Sequence, residues 1–270
     1  SSETFTADVE INQFSDNELK NVAPHWVVYK EPQKQGDVML LNMEAPVAFG
    51  DLPACDIPVG GNFNAGTISI PLDKIIKPTK LTLAVTIPGT DALNHWNFWV
   101  YPEDGGNAAV EGTKKAVVKT KAGKRAGTWF DGDVYVTDSL DAQAQKILDK
   151  GGKVLVLAAG KVTYGKEVVQ QFTPVFWNTS WFKMRPPHTT GIFVENAHSI
   201  FELFPTDCHS DMQWWELVNR AQVMQFTDFP QDFQPLVQSI DTWFVSRKIG
   251  MLFEARVGEG RLVVTTLPLQ

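Results

Sequence analysis

The sequence predicts a multidomain protein in which an all-β sandwich, residues 1–102, is followed by an α/β domain, residues 132–270. Alternating strand patterns fill the first hundred residues without helical periodicity. After Gly132, apolar residues at helical spacing lie between two short apolar runs. Residues 103–131 are rich in glycine, alanine and lysine and are predicted to be a linker. A chain of 270 residues is long enough for two domains with separate cores.

Short strands separated by turn residues predict the first domain. Gly36-Asp37, Gly60-Gly61 and Pro88-Gly89 provide turns between them. Strands at this spacing are typical of an immunoglobulin-like sandwich. The last strand is apolar on both faces, so Trp96 and Trp99 are predicted to lie in the core or at a domain interface. The predicted strands are Phe5–Ile11, Trp26–Tyr29, Val38–Leu41, Thr67–Leu72, Leu81–Ile87 and Trp96–Tyr101.

The second domain is predicted to begin with a parallel βαβ unit. Val134–Thr137 is a short apolar strand, and Asp138 or Ser139 can cap the helix that follows it. The run Val154–Ala159 is apolar throughout, as a strand buried on both faces requires. The apolar helix positions are Leu140, Ala144, Ile147 and Leu148.

The rest of the chain continues the α/β pattern and ends with antiparallel strands. We expect a strand near Thr173–Trp177, a helix near Asp211–Arg220, and a hairpin joining Ile249–Val257 to Arg261–Thr266. Within the linker, Val117-Val118 is predicted to allow one further short strand.

Composition and charge exclude several classes of function. The net charge of −7 argues against nucleic acid as a partner, because phosphate binding needs clustered basic residues. The basic cluster Lys114–Arg125 is interpreted as a solvated loop. No apolar run approaches the ~18 residues of a membrane span. No signal peptide is visible and a strand pattern begins almost at the first residue, so we interpret the sequence as an excised fragment. Cys55 and Cys208 fall in different predicted domains, and no disulfide is expected between them.

Tryptophans are concentrated near the middle of the second domain. Four of the nine lie between Phe172 and Trp215, interleaved with asparagine, histidine and glutamine. Such a density of indoles suits stacking on a sugar or packing against another protein domain. The four are Trp177, Trp181, Trp214 and Trp215.

This stretch resembles the C-terminal region of bacterial glycoside hydrolase family 2 proteins, which are β-galactosidase-like. The resemblance is strongest from Phe172 to Thr266. It implies an immunoglobulin-like domain followed by a flavodoxin-like domain of the class I glutamine amidotransferase type. It also implies a catalytic barrel elsewhere in the polypeptide as the partner, a glycan as the substrate of the parent protein, and a periplasmic or cell-surface location.

The sequence lacks the motifs that catalysis would need. An amidotransferase nucleophile lies in Gly-x-Cys-x-Gly, which does not occur, and Cys208 lies in a Pro-Thr-Asp loop beside His209. A glycosidase needs two carboxyl groups across a sugar, but Asp207, Asp211 and Glu216 are expected to stabilise a helix start instead. No cofactor or metal is predicted, since the histidines lack paired-ligand spacing. An independent enzyme that uses Cys208 and His209, or an unrecognised acid pair, is the alternative.

The sequence therefore predicts a non-catalytic binding role in support of a catalytic barrel. We expect Trp177 and one of Trp214 and Trp215 to be buried, because adjacent helical residues point about 100° apart. The remaining indoles would form a patch that docks a domain or contacts a sugar weakly. The candidate residues are Trp181, Trp214, Trp215, Asn178, His209 and Gln213.

Overall fold

The chain forms two compact units, Ser1–Val110 and Glu111–Gln270. The structure is a computed structural model. It describes residues 3–30, 33–35, 38–40, 46–102, 117–120, 123–126, 134–168, 170–172, 189–242 and 244–269.

The described part of the first unit consists of antiparallel strands. Its longest sheet has the order β10-β9-β3-β6, while β1 pairs with β8, β2 with β7 and β4 with β5. The strands are β1 (Thr4–Gln13), β2 (Leu19–Val22), β3 (His25–Lys30), β4 (Gln33–Gln35), β5 (Val38–Leu40), β6 (Ala48–Asp51), β7 (Cys55–Ile57), β8 (Gly61–Pro71), β9 (Thr79–Thr86) and β10 (Leu93–Val100).

Side-chain alternation explains how these strands form two layers. Along β1, Val9 is buried while Thr6 and Asp8 are exposed, as a strand covered on one face requires. The buried face of β1 and β8 packs against that of β3, β9 and β10. The shared core consists of Val9, Val28, Leu52, Ala65, Ile68, Ile70, Leu72, Ile75, Leu81, Leu83, Val85 and Val100. The predicted all-β character of this region is confirmed.

The tryptophans of the edge strand β10 do not lie in the core of the first unit, and their predicted place at a domain interface stays a prediction. The Trp96 side chain is 50% exposed. Trp99 is half-buried, and the ammonium of Lys80 lies 5.8 Å from its ring centroid. Only the end of β10 joins the core, where Phe98 stacks on Phe5 and Val100 is buried.

The described part of the second unit contains one sheet with both parallel and antiparallel strands. Its order is β13-β14-β19-β18-β17-β15, with β16 paired to β18, and a separate hairpin joins β11 to β12. The elements are β11 (Val117–Thr120), β12 (Gly123–Ala126), β13 (Val134–Thr137), α1 (Ala142–Asp149), β14 (Lys153–Leu157), β15 (Ile192–Val194), α2 (Trp215–Asn219), β16 (Met224–Gln225), β17 (Val237–Ser239), β18 (Ile249–Val257) and β19 (Gly260–Thr265).

The predicted βαβ unit is present, and β13 and β14 are parallel. Its helix begins later than expected. Asp141 is the N-cap, and its carboxylate accepts hydrogen bonds from the backbone N–H groups of Gln143 and Ala144. Leu140 therefore precedes the helix and is 61% exposed, so its assignment to the apolar face is wrong. Asp141 lies closer than Asp138 or Ser139 to Ala144, the first buried residue of the helix. Its carboxylate is therefore better placed to accept hydrogen bonds from the free backbone N–H groups of the first helical turn.

The sheet is covered on both faces. One cluster packs α1 against the sheet through Leu148, Val154 and Val264. A second cluster on the other face includes Trp214 and Val218 from the region of α2. The described residues thus show a β-rich domain with parallel pairs β13–β14 and β14–β19, and the remaining pairs in the sheet are antiparallel. They do not show the repeated β–α units of a flavodoxin-like fold.

The predicted C-terminal hairpin is confirmed. Strands β18 and β19 pair antiparallel across a turn in which Gly258 has φ +60°. Gly260 lies against α1, where an added Cβ would be 2.6 Å from the backbone oxygen of Leu148. The predicted strand near Thr173–Trp177 lies outside the described residues.

Candidate functional site

The loop that precedes α2 is fixed by its own polar side chains. Asp211 caps a 3-10 turn, Met212–Trp214, by accepting the N–H of Gln213 at 3.3 Å. The Gln213 amide donates to the backbone oxygen of Pro205 at 3.2 Å. The turn leads directly into α2. The α-helix covers only Trp215–Asn219 and is therefore shorter than the predicted helix, Asp211–Arg220.

Trp214 is the buried member of the tryptophan pair. It is 1% exposed, and its indole Nε1–H donates to Thr206 Oγ1 at 2.7 Å. Its ring meets Phe204 edge-on at a centroid distance of 5.3 Å, and Phe201 lies at 6.5 Å. Trp214 therefore holds the loop onto the core and offers no ring face to a ligand.

Trp215 points outward. It is 44% exposed and contacts Phe172 edge-on at 5.2 Å. Met212, three residues earlier, is 72% exposed. Residues at this spacing share one side of a helical segment, while Trp214 and Val218, which are four residues apart, share the buried side. We call Phe172, Met212 and Trp215 the Trp215 surface.

The other predicted site residues have structural partners or lie elsewhere. His209 is exposed, and its Nδ1 lies 3.2 Å from the backbone oxygen of Ser210. Gln213 holds the loop as described above. Trp181 and Asn178 lie outside the described residues.

Cys208 does not occupy the position of an amidotransferase nucleophile. Its backbone oxygen accepts the N–H of Val194 at 2.8 Å, and His209 forms a bridge with Phe193. Both residues therefore run beside β15, the last strand of the sheet. A nucleophile elbow would instead follow the carboxyl end of a central parallel strand. Cys55 and Cys208 are both free thiols.

The acidic residues near α2 serve local structure. Asp211 is a cap, and Glu216 lies 3.8 Å from Arg220 one helical turn away. Among the described residues, no three His, Cys, Asp or Glu side chains group as metal ligands. In the same part of the chain, no helix is long and apolar enough to cross a membrane.

A second exposed apolar segment follows β17 and was not predicted from the sequence. Asp241 is buried at its base, and both its oxygens bond Arg247, at 2.8 Å to Nε and 3.2 Å to a terminal nitrogen. Ile240, Phe244 and Val245 are exposed around this pair. The only sign of this arrangement in the sequence is that Asp241 and Arg247 lie six residues apart and flank the apolar residues 243–245.

The Asp241 carboxylate is held in its charged form. Burial alone would raise the pKa of Asp241, but hydrogen bonds from the Arg247 side chain and from the backbone N–H groups of Arg247 and Thr242 lower it. The Arg247 pKa is raised by the same hydrogen bond to Asp241. The pair therefore closes the loop as a charged clamp around neutral pH.

Comparison with known families decides the classification of the second domain. Residues 135–270, just over half of the chain, match the model described as Domain of unknown function (DUF8487). The chain belongs to this family. Residues 3–102 match a second model, Domain of unknown function (DUF8488). A search of curated proteins found no match. The DUF8487 domain thus contains the Trp215 surface and the Asp241 clamp.

Proposed function

We propose that this chain is a non-catalytic accessory region of a glycoside hydrolase of family 2. In this proposal the DUF8487 domain docks against the catalytic barrel of the same polypeptide through the Trp215 surface. The docking role is supported by one observation: Trp215 and Met212 are exposed on a segment that is held rigid by its own hydrogen bonds. A rigid exposed indole loses little conformational entropy on binding, and tryptophan is enriched among residues that dominate interface energy.

The polar groups around Trp215 favour docking over sugar recognition. A sugar site needs side chains that bond hydroxyl groups beside the stacked ring. Here the Gln213 amide bonds Pro205, the Asp211 carboxylate caps its own turn, and His209 Nδ1 lies against Ser210. The second proposed role of the Trp215 surface is weak binding of a carbohydrate through Trp215 alone.

The finer assignments belong to the same proposal. We assign the first domain as immunoglobulin-like, supported by its two packed antiparallel layers. We assign the DUF8487 domain as a flavodoxin-like domain without the amidotransferase nucleophile, supported by parallel β13, β14 and β19 with α1 on one face. The parent would act on a glycan in the periplasm or at the cell surface.

The test uses the full chain and the barrel encoded with it in the parent reading frame. We expect the two to bind in trans, and Trp215→Ala to weaken binding about tenfold or more, the loss of an interface hot spot. Tyr164→Ala is the matched control, because Tyr164 is 74% exposed but lies outside the Trp215 surface. Binding that both variants retain would contradict docking through this surface.

Two further measurements separate the alternatives. A saturable change in tryptophan fluorescence with oligosaccharides, absent in Trp215→Ala, would replace docking with sugar binding. We expect no turnover of nitrophenyl glycosides or glutamine by the chain alone. Turnover that Cys208→Ala removes would establish the independent enzyme instead.

A further inference from the structure

The first domain contains a groove between the β1–β8 pair and the four-stranded sheet that ends in β10. Its volume is about 670 Å³, and it is lined by residues 3–6, Leu72 and residues 98–101. Consecutive side chains of a strand point to opposite faces. A groove lined by four consecutive residues on each side is therefore bounded by strand edges, here the beginning of β1 and the end of β10.

The register of β1 shows which of its backbone groups point outward. Among the described strands, β1 pairs with β8 alone. The N–H of Leu72 donates to the oxygen of Glu3 at 3.0 Å, so Glu3 and Leu72 form a hydrogen-bonded pair. Hydrogen-bonded pairs alternate along an antiparallel ladder. The N–H and C=O groups of Thr4 and Thr6 therefore point away from β8, towards the outer edge.

Only the second half of β1 carries the features that protect an edge strand. Charged side chains and bulges block the addition of a further strand. Asp8 and Glu10 supply this charge, whereas the bulge opposite Val9 and Glu10 has its extra residue, Ala65, on β8 and not on β1. The first half, residues 4–7, has no charge and no bulge. Among the described strands none pairs with the outer edge of β1, and the charges hinder addition of a strand near Glu10 but not along residues 4–7.

We propose that residues 4–7 of β1 accept an extended, basic peptide segment of a partner protein by β-strand addition. The backbone groups of Thr4 and Thr6 bond the segment, which is the usual source of affinity in this mode. One apolar side chain of the segment enters the groove against Phe98, whose ring stacks on Phe5 at 4.3 Å and 11°.

Charge selects a basic partner. Asp8 and Glu10 directly follow the open stretch, so lysine or arginine next to the paired residues would face carboxylates. If a second copy of this chain paired here instead, the Asp8 and Glu10 carboxylates of both copies would lie in the same short ladder and repel each other. The surface lies in the DUF8488 region and is independent of the role proposed for Trp215.

The test measures anisotropy of a labelled peptide that alternates valine and threonine between terminal lysines. We expect Thr6→Pro to weaken binding about tenfold, because proline removes an outward N–H that a partner strand would use. Thr6→Ala keeps this N–H and should change binding less than about threefold. A peptide with glutamates in place of the lysines should bind more weakly.

Hydrogen exchange is measured on the unmodified chain, so its result does not depend on whether the Thr6→Pro variant folds. The backbone amides of Thr4 and Thr6 should gain protection when the peptide is added. Equal binding by a folded Thr6→Pro variant, or no added protection at these amides, would overturn the proposal. A dimer that forms without peptide and is lost in Thr6→Pro would also overturn it, in favour of a second copy.

Discussion

Two adjacent tryptophans should differ sharply in their effect on stability. Trp214 is 1% exposed and bonds Thr206, so Trp214→Ala should cost about 3–5 kcal/mol for the cavity and about 1 kcal/mol for the bond. Trp215 is 44% exposed, so Trp215→Ala removes about half of the ~200 Å² that a buried tryptophan covers. At about 25 cal/mol per Å², that is at most about 2.5 kcal/mol.

Native-state hydrogen exchange in the full chain measures this difference within one domain. The backbone amides of Ile249–Val257 lie in the centre of the sheet that Trp214 covers. Their free energy of opening should fall by about 4–6 kcal/mol in Trp214→Ala and by at most about 2.5 kcal/mol in Trp215→Ala. The exposed control Tyr164→Ala should stay within about 0.5 kcal/mol of the unmodified chain. Equal losses for both tryptophans would refute the assignment of one buried and one surface indole.

Three further predictions follow from the clamp, the hairpin and the linker. Because Asp241 has a lower pKa in the folded chain, its stabilisation is present above its unfolded pKa of about 3.9 and is lost as the pH falls through the folded value. Asp241→Asn should therefore cost about 3 kcal/mol at pH 7 in urea denaturation, and a difference that does not narrow as the pH falls below about 3.9 would contradict the charged clamp. Gly260→Ala should lower stability by about 1–3 kcal/mol because its Cβ meets Leu148. Gly61→Ala is the control, since a Cβ added there has no atom within 4 Å and should not lower stability. Equal melting temperatures of the two variants would exclude the contact with Leu148. Limited trypsin digestion should cut first within residues 103–131, for example at Lys121, and first cleavage inside β9 or β14 would count against these domain limits.

Local patterns were sufficient to predict most of the strands. Alternation of apolar and polar residues located β1, since a strand covered on one face must alternate. Strands were also correctly predicted at β3 and β9, although β9 is buried on both faces. The uninterrupted apolar run at β14 indicated burial on both faces. Val154 and Val156 are buried, whereas Leu155 and Leu157 on the opposite face are half-buried. Helix limits were less accurate because Asp138, Ser139 and Asp141 are all possible caps in sequence. Only the position of the first buried residue selects among them.

The candidate site could be predicted only in part. Helical geometry predicted that Trp214 and Trp215 would differ in burial, but not which one would be buried. That choice depends on Thr206, which accepts the indole N–H of Trp214, and on Phe201 and Phe204, which surround its ring. The hydrogen-bonding residues expected to face a ligand, such as Gln213, were instead used to fix the loop.

The sequence by itself determined the strand patterns of the first domain, the βαβ unit and the C-terminal hairpin, because each depends on periodicity among neighbouring residues. The tertiary structure alone decided the Trp215 surface, the Asp241–Arg247 clamp and the edge of β1 that no other described strand pairs. Each of these depends on which distant segments become neighbours. Side-chain burial and strand pairing are properties of such neighbours, and local periodicity does not specify them.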